Sequence, residues 1–143
     1  MNEPLESTMS ELRLTGGCLC GAVRLETSAE PYRVGICHCL DCRKQTGALF
    51  SAFAIFSADA VAVSGTTAHR DSRYFCPRCG SSVFNRSGDE IEVSVGCLDE
   101  PNRLKPTYES WTIRREDWLP PFDLARHYMR DRAGTGRTEP DTA

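Results

Sequence analysis

The sequence predicts a mainly β fold: one small domain with few short helices. Three observations carry this. No stretch of the central chain sustains a helical period for more than about ten residues. Short alternating or wholly apolar runs follow one another instead, separated by Gly and polar turn residues. A chain of 143 residues, 40% hydrophobic and 26% charged, also has the size and composition of a single globular domain.

The elements follow in order. Residues 1–11 are polar and expected to be flexible, with the domain expected over 12–130. Residues 22–26, Ala-Val-Arg-Leu-Glu, alternate as a half-buried strand does, and 32–36 read as a second strand leading into a cysteine cluster. A single helical turn is expected over 41–45, ended near Gly47. Residues 49–56 fit a buried strand, with Phe50, Phe53 and Phe56 expected to fill core. Further strands are expected over 60–64, 69–75, 82–85 and 90–95, the last from the alternation Ile91-Glu92-Val93-Ser94-Val95. A short helix is predicted over 123–130, after the stop at Pro120-Pro121. Over 131–143 Gly, Thr, Pro and charge dominate, so this tail is expected to be disordered.

Eight cysteines are the unusual feature, and seven of them fall in tight clusters: Cys18 and Cys20; Cys37, Cys39 and Cys42; Cys76 and Cys79. Disulfide frameworks spread their half-cystines to staple distant segments, whereas zinc sites bring them in pairs a few residues apart. Cys39-Leu-Asp-Cys42 and Cys76-Pro-Arg-Cys79 also match the thiol-exchange spacing, but neither sits in the strand–helix–strand context that chemistry uses. Metal is therefore the expected role. In Cys76-Pro-Arg-Cys79-Gly80, Pro77 presets a turn and Gly80 permits a left-handed backbone after it, so both thiolates can meet one ion. Cys18 and Cys20, flanked by Gly16, Gly17 and Gly21, can complete that set as a closed structural site. Spacing alone also permits the alternative, with Cys37 and Cys39 joining Cys76 and Cys79 on one ion.

On the first division, Cys37, Cys39 and Cys42 remain, three thiolates with an open coordination position of the kind a catalytic metal needs. His38 between two ligands would strain the chain as a fourth, and Cys97 reads as a small buried thiol with an extra-ligand role as the alternative. Arg43 and Lys44, directly after the last thiol, are candidates to offset its charge or to meet carboxylates, with Arg73 and Arg78 weaker ones. His69 and His38 are candidate acid–base groups.

Charge and hydropathy exclude other classes. Seventeen basic against twenty acidic residues leave a net charge of −3, against the basic excess of a general nucleic-acid binder. The longest nearly apolar stretch, residues 48–56, is interrupted by Ser51 and far shorter than the ~20 residues a membrane span needs, so no membrane partner is expected. The first residues show neither a basic lead nor an apolar run, and a cytoplasmic location is expected.

Taken together, the segments Gly16-Gly17-Cys18-Leu19-Cys20-Gly21, Cys37-His38-Cys39-Leu40-Asp41-Cys42-Arg43-Lys44-Gln45-Thr46-Gly47 and Arg73-Tyr74-Phe75-Cys76-Pro77-Arg78-Cys79-Gly80 resemble the glutathione-dependent formaldehyde-activating (GFA) family. Gly96-Cys97-Leu98-Asp99-Glu100-Pro101 and the Trp-rich stretch 111–122 extend the resemblance over residues 14–122, with Cys97 standing where a small non-thiol residue is expected. The resemblance implies a small β domain of the Mss4-like type with two Zn2+ per chain. Cys18, Cys20, Cys76 and Cys79 would hold the structural zinc, and Cys37, Cys39 and Cys42 the catalytic one. It also implies carbon–sulfur lyase chemistry on small-molecule partners, condensing formaldehyde with glutathione to S-hydroxymethylglutathione. The alternative is a zinc-stabilised binding module with no chemistry, which a second site saturated by four protein ligands would favour.

Overall fold

The computed structural model describes residues 13–133 and 136–140. In chain order its strands are β1 (Thr15–Gly17), β2 (Arg24–Thr27) and β3 (Arg33–Cys37), then helix α1 (Leu40–Thr46), then β4 (Ser51–Ser57), β5 (Val61–Ser64), β6 (Ala68–Arg70), β7 (Arg73–Phe75), β8 (Ser82–Ser87), β9 (Glu90–Ser94), β10 (Tyr108–Ser110) and β11 (Arg126–His127). They form a three-stranded sheet, β1-β2-β5, and an eight-stranded sheet, β11-β10-β3-β4-β9-β8-β7-β6. This is the mainly β architecture the sequence predicts, with α1 and short 3-10 turns as the helical content of the described residues. Among the described residues no helix is long and apolar enough to cross a membrane.

Strand register sets the two faces of the large sheet. One cross-strand row runs Val34, Ala54, Val93, Phe84 and Tyr74, and its first four members are buried in one core cluster with Val23 and with Leu25 and Val61 of the small sheet. The neighbouring row, one residue along, points the opposite way because side chains alternate along a strand. It runs Arg33, Ile55, Glu92, Asn85, Arg73 and Arg70, polar at all but one position. Cys37 and Ser51, paired across β3 and β4, lie four residues along from Arg33 and Ile55 and so share this polar face.

Two expectations are corrected. The helix predicted over 123–130 is instead strand β11, parallel to β10, with Arg126 N donating to Thr107 O at 3.3 Å and Tyr128 N to Glu109 O at 2.9 Å. A free helix of that length would be marginal, while the edge of β10 offers the same backbone groups ready partners. The single run expected over 69–75 is two strands, because Asp71 adopts a left-handed turn with φ of 52° between them. Strand β10 is not among the strands that the sequence predicts; it pairs parallel with β3, with Tyr108 opposite Gly35.

Within the tail expected to be disordered, residues 136–140 make defined contacts. Glu139 is buried, accepts from Arg132 Nη1 at 3.0 Å and from the Tyr128 hydroxyl, and Arg137 bonds Asp89 at 2.5 Å. Residues 1–12, which include the polar lead 1–11, and residues 134–135 and 141–143 lie outside the described residues.

Candidate metal centre

Two tight turns bring the first four sulfurs together. At one, Gly21 N donates to Cys18 O at 3.1 Å; at the other, Gly80 N donates to Cys76 O at 2.8 Å. Both glycines have φ of 81°, a left-handed conformation that a Cβ would strain. The Sγ atoms of Cys18, Cys20, Cys76 and Cys79 all lie within 4.8 Å of one another, with 3.6 Å between Cys18 and Cys20 and 3.8 Å between Cys20 and Cys76. A tetrahedron with metal–sulfur bonds of ~2.3 Å has edges of about 3.8 Å, so the donor set and spacing fit zinc. Cys76 is wholly buried and Cys18 nearly so, both packed into the hydrophobic core. Ser81 lowers the Cys79 thiol to a pKa of about 5 through its hydroxyl and then its backbone N–H, favouring the thiolate a metal requires.

The second cluster forms where β3 hands over to α1. Cys37 ends the strand, and Cys39 is the helix N-cap, its sulfur accepting from Cys42 N at 3.3 Å. An N-cap side chain points at the third helical residue, which is why this spacing brings Cys39 and Cys42 together. Gly47 closes the helix with φ of 71°, its N–H donating to Arg43 O at 2.8 Å. The sulfurs of Cys37, Cys39 and Cys42 lie within 4.8 Å of one another, and among the described residues no fourth Cys, His, Asp or Glu joins them. Hydrogen bonds from Cys37, then Ser51 and Cys39, with the Arg73 charge beyond them, hold the Cys42 thiol down at about 5 against the opposing effect of burial. The two groups divide the seven clustered sulfurs as four and three, with Cys37 and Cys39 in a different group from Cys76 and Cys79.

His38 is wholly buried and meets a carboxylate. Its Nε2 meets Glu109 Oε2 at 2.8 Å, while Glu109 Oε1 takes Arg115 at 2.8 Å and His127 at 2.7 Å. Its ring packs against Phe50 and Phe122, with centroids 5.7 and 6.3 Å away. Glu109 sits in a short polar run with no motif around it, so nothing in the sequence singles it out. Cys97 belongs to neither sulfur group and directs its Sγ at Ser82 O, 3.4 Å away. His69 is exposed and stacks on Tyr74. Of the three phenylalanines expected in the core, Phe56 is fully buried there, while Phe50 lines a surface groove.

The basic residues separate. Arg43 is engaged by Arg114 O at 2.8 Å and Glu116 at 2.6 Å, which ties α1 to the 112–116 segment. Arg78 is exposed on its turn. Lys44 and Arg73 line a groove beside α1 together with Asp41, Gln45, Arg70 and Asp71.

A family model described as "Glutathione-dependent formaldehyde-activating enzyme" matches residues 13–114. A solved structure of a Rhodobacter sphaeroides protein aligns with a TM-score of 0.49 and 24% identity, covering 62% of this chain and 90% of its own.

Proposed function

The chain belongs to the glutathione-dependent formaldehyde-activating family, and from that premise we propose that it is a zinc enzyme of the carbon–sulfur lyase class. It joins an aldehyde, formaldehyde by family, to the thiol of glutathione or a related thiol, or releases it. In this reading Cys18, Cys20, Cys76 and Cys79 enclose a structural zinc, and Cys37, Cys39 and Cys42 hold the catalytic one. The carrying observation is the contrast between the groups: four converging sulfurs in one, three in the other with no further protein ligand among the described residues.

In the forward direction the S–C bond forms as the carbonyl π pair moves to oxygen, which receives the proton the thiol gives up; the reverse step restores thiol and aldehyde. A zinc held by Cys37, Cys39 and Cys42 would supply Lewis acidity toward the aldehyde and would lower the pKa of the thiol. The chain's own residues hold the three sulfurs in place. Cys37 is fixed by pairing with Ser51 and Ser110, Cys39 by its capping bond, and the intervening His38 by Glu109. Three thiolates on a divalent ion leave a formal charge of −1, which Lys44 and Arg73 offset from the neighbouring groove. Arg43 contributes as the tether of α1. Phe50 and Phe122, edge to face at 5.2 Å, cover His38 and keep water from its hydrogen bond to Glu109 behind the cluster. The partners are small molecules, and a cytoplasmic location suits a chain that keeps its thiols free for metal.

Exchange NMR on formaldehyde–glutathione mixtures tests the reaction. The zinc-loaded protein is expected to raise the exchange rate between free and adduct glutathione above the uncatalysed rate, in proportion to protein added. Exchange at the background rate would exclude the synthase reading.

A further inference from the structure

Arg73 differs from the other arginines of the sheet region. Arg24, Arg33 and Arg43 each pair with a carboxylate, whereas among the described residues no carboxylate lies within salt-bridge distance of Arg73. It is nevertheless held in place: Arg73 Nη1 donates to Gln45 Oε1, Gln45 Nε2 to Asn85 Oδ1 at 3.2 Å, and Asn85 Nδ2 to Glu92 Oε2 at 3.3 Å. This relay follows the polar row of the large sheet and fixes one edge of the guanidinium, leaving its other donors uncommitted among the described residues.

The groove it lines has a volume of about 540 Å3, the range of small-molecule sites. It carries three cations, Lys44, Arg70 and Arg73, and two carboxylates, Asp41 and Asp71. A second groove of about 470 Å3 shares Gln45, Gly80 and Ser82 with it and reaches Phe50 and Ser51. Ser51, which lines the second groove, is hydrogen-bonded to Cys42, so one side chain separates the joined grooves from the three-cysteine cluster. Glutathione carries two carboxylates and one ammonium, a pattern that complements three cations and two acids.

We infer that this double groove seats the zwitterionic thiol, with its sulfur toward Cys37, Cys39 and Cys42 and a carboxylate on Arg73, which selects carboxylated over neutral thiols. The inference rests on the proposed function and adds the place and the residue of recognition. An arginine fork suits this contact because a carboxylate can take two parallel N–H bonds from it, which a lysine cannot offer.

Calorimetric titration of the zinc-loaded protein with S-methylglutathione and with its diethyl ester tests this without the reaction, since the thioether has no thiol to react. The wild type is expected to bind the free acid ~10- to 100-fold more tightly than the ester, the scale of a charge-assisted hydrogen-bonded pair. Arg73→Gln should reduce that preference to within about threefold, Arg73→Lys should recover part of it, and Arg78→Gln should leave it unchanged. Should Arg73→Gln lose its fold, judged by zinc content and circular dichroism, Arg73→Lys decides by its intermediate preference. A wild type that does not bind or does not discriminate, or a folded Arg73 variant that keeps the full preference, overturns the inference. Discrimination through Arg73 with background NMR exchange would remove only the proposed reaction, and catalysed exchange with no dependence on Arg73 would remove only this inference.

Discussion

The Nε2 of His38 lies 2.8 Å from Glu109 Oε2, and neither side chain is exposed to solvent. Through its other oxygen the same carboxylate holds Arg115 and His127, so one residue of β10 ties together β11, the 112–114 turn and the chain between two clustered cysteines. A carboxylate so far from water is tolerable only with its partners in place.

Glu109→Ala is therefore expected to cost about 3–5 kcal/mol, because it leaves a buried histidine and its neighbours without their acceptor. Urea denaturation of the zinc-loaded protein measures this. A cost below about 1 kcal/mol would mean that the network relaxes without it.

Gly35→Ala tests the packing of β3 against β10. A Cβ on Gly35 would overlap the buried ring of Tyr108, lying 2.3 Å from its Cζ. A loss of about 1–3 kcal/mol is expected, the cost of overpacking a filled site. If Gly35→Ala melts with the wild type, the parallel β3–β10 contact is looser than described.

Asp99 carries a pH signature. Arg24, then Thr15, hold its carboxyl at a pKa of about 2, below the ordinary aspartate value. A depressed folded-state pKa contributes stability that is fully present above the unfolded value of ~4 and is lost as pH falls toward 2. The stability difference between wild type and Asp99→Asn should thus stay constant from pH 7 to pH 5. Thermal melts at several pH values check it, and a difference that shrinks within that interval would assign the effect to another group.

What could be read from the chain depended on how local the information was. The two sulfur groups and α1 were legible because turns, caps and ligand spacing are properties of a few adjacent residues, as Cys39, Cys42, Gly47 and Gly80 illustrate. Strands β10 and β11 were not. Each is two or three residues long, and each exists because a distant edge accepts it, Tyr108 beside Gly35 and Arg126 beside Tyr108. The alternation that made β9 easy to recognise did not reveal that Glu92 supports a relay to Arg73, since that row is assembled from separate strands and α1. Asp71 split an apparently continuous run because a non-glycine residue took a left-handed turn that its sequence neighbours do not announce.

The central claim, that one sulfur group encloses its metal and the other leaves a position open, is tested most directly by zinc content per folded chain. Elemental analysis should find two zinc ions in the wild type and one in Cys42→Ser with its circular dichroism preserved, while Cys76→Ser loses the fold, since a structural zinc contributes roughly 10 kcal/mol or more. A single ion in the wild type, or a Cys42→Ser protein that unfolds as Cys76→Ser does, would contradict it.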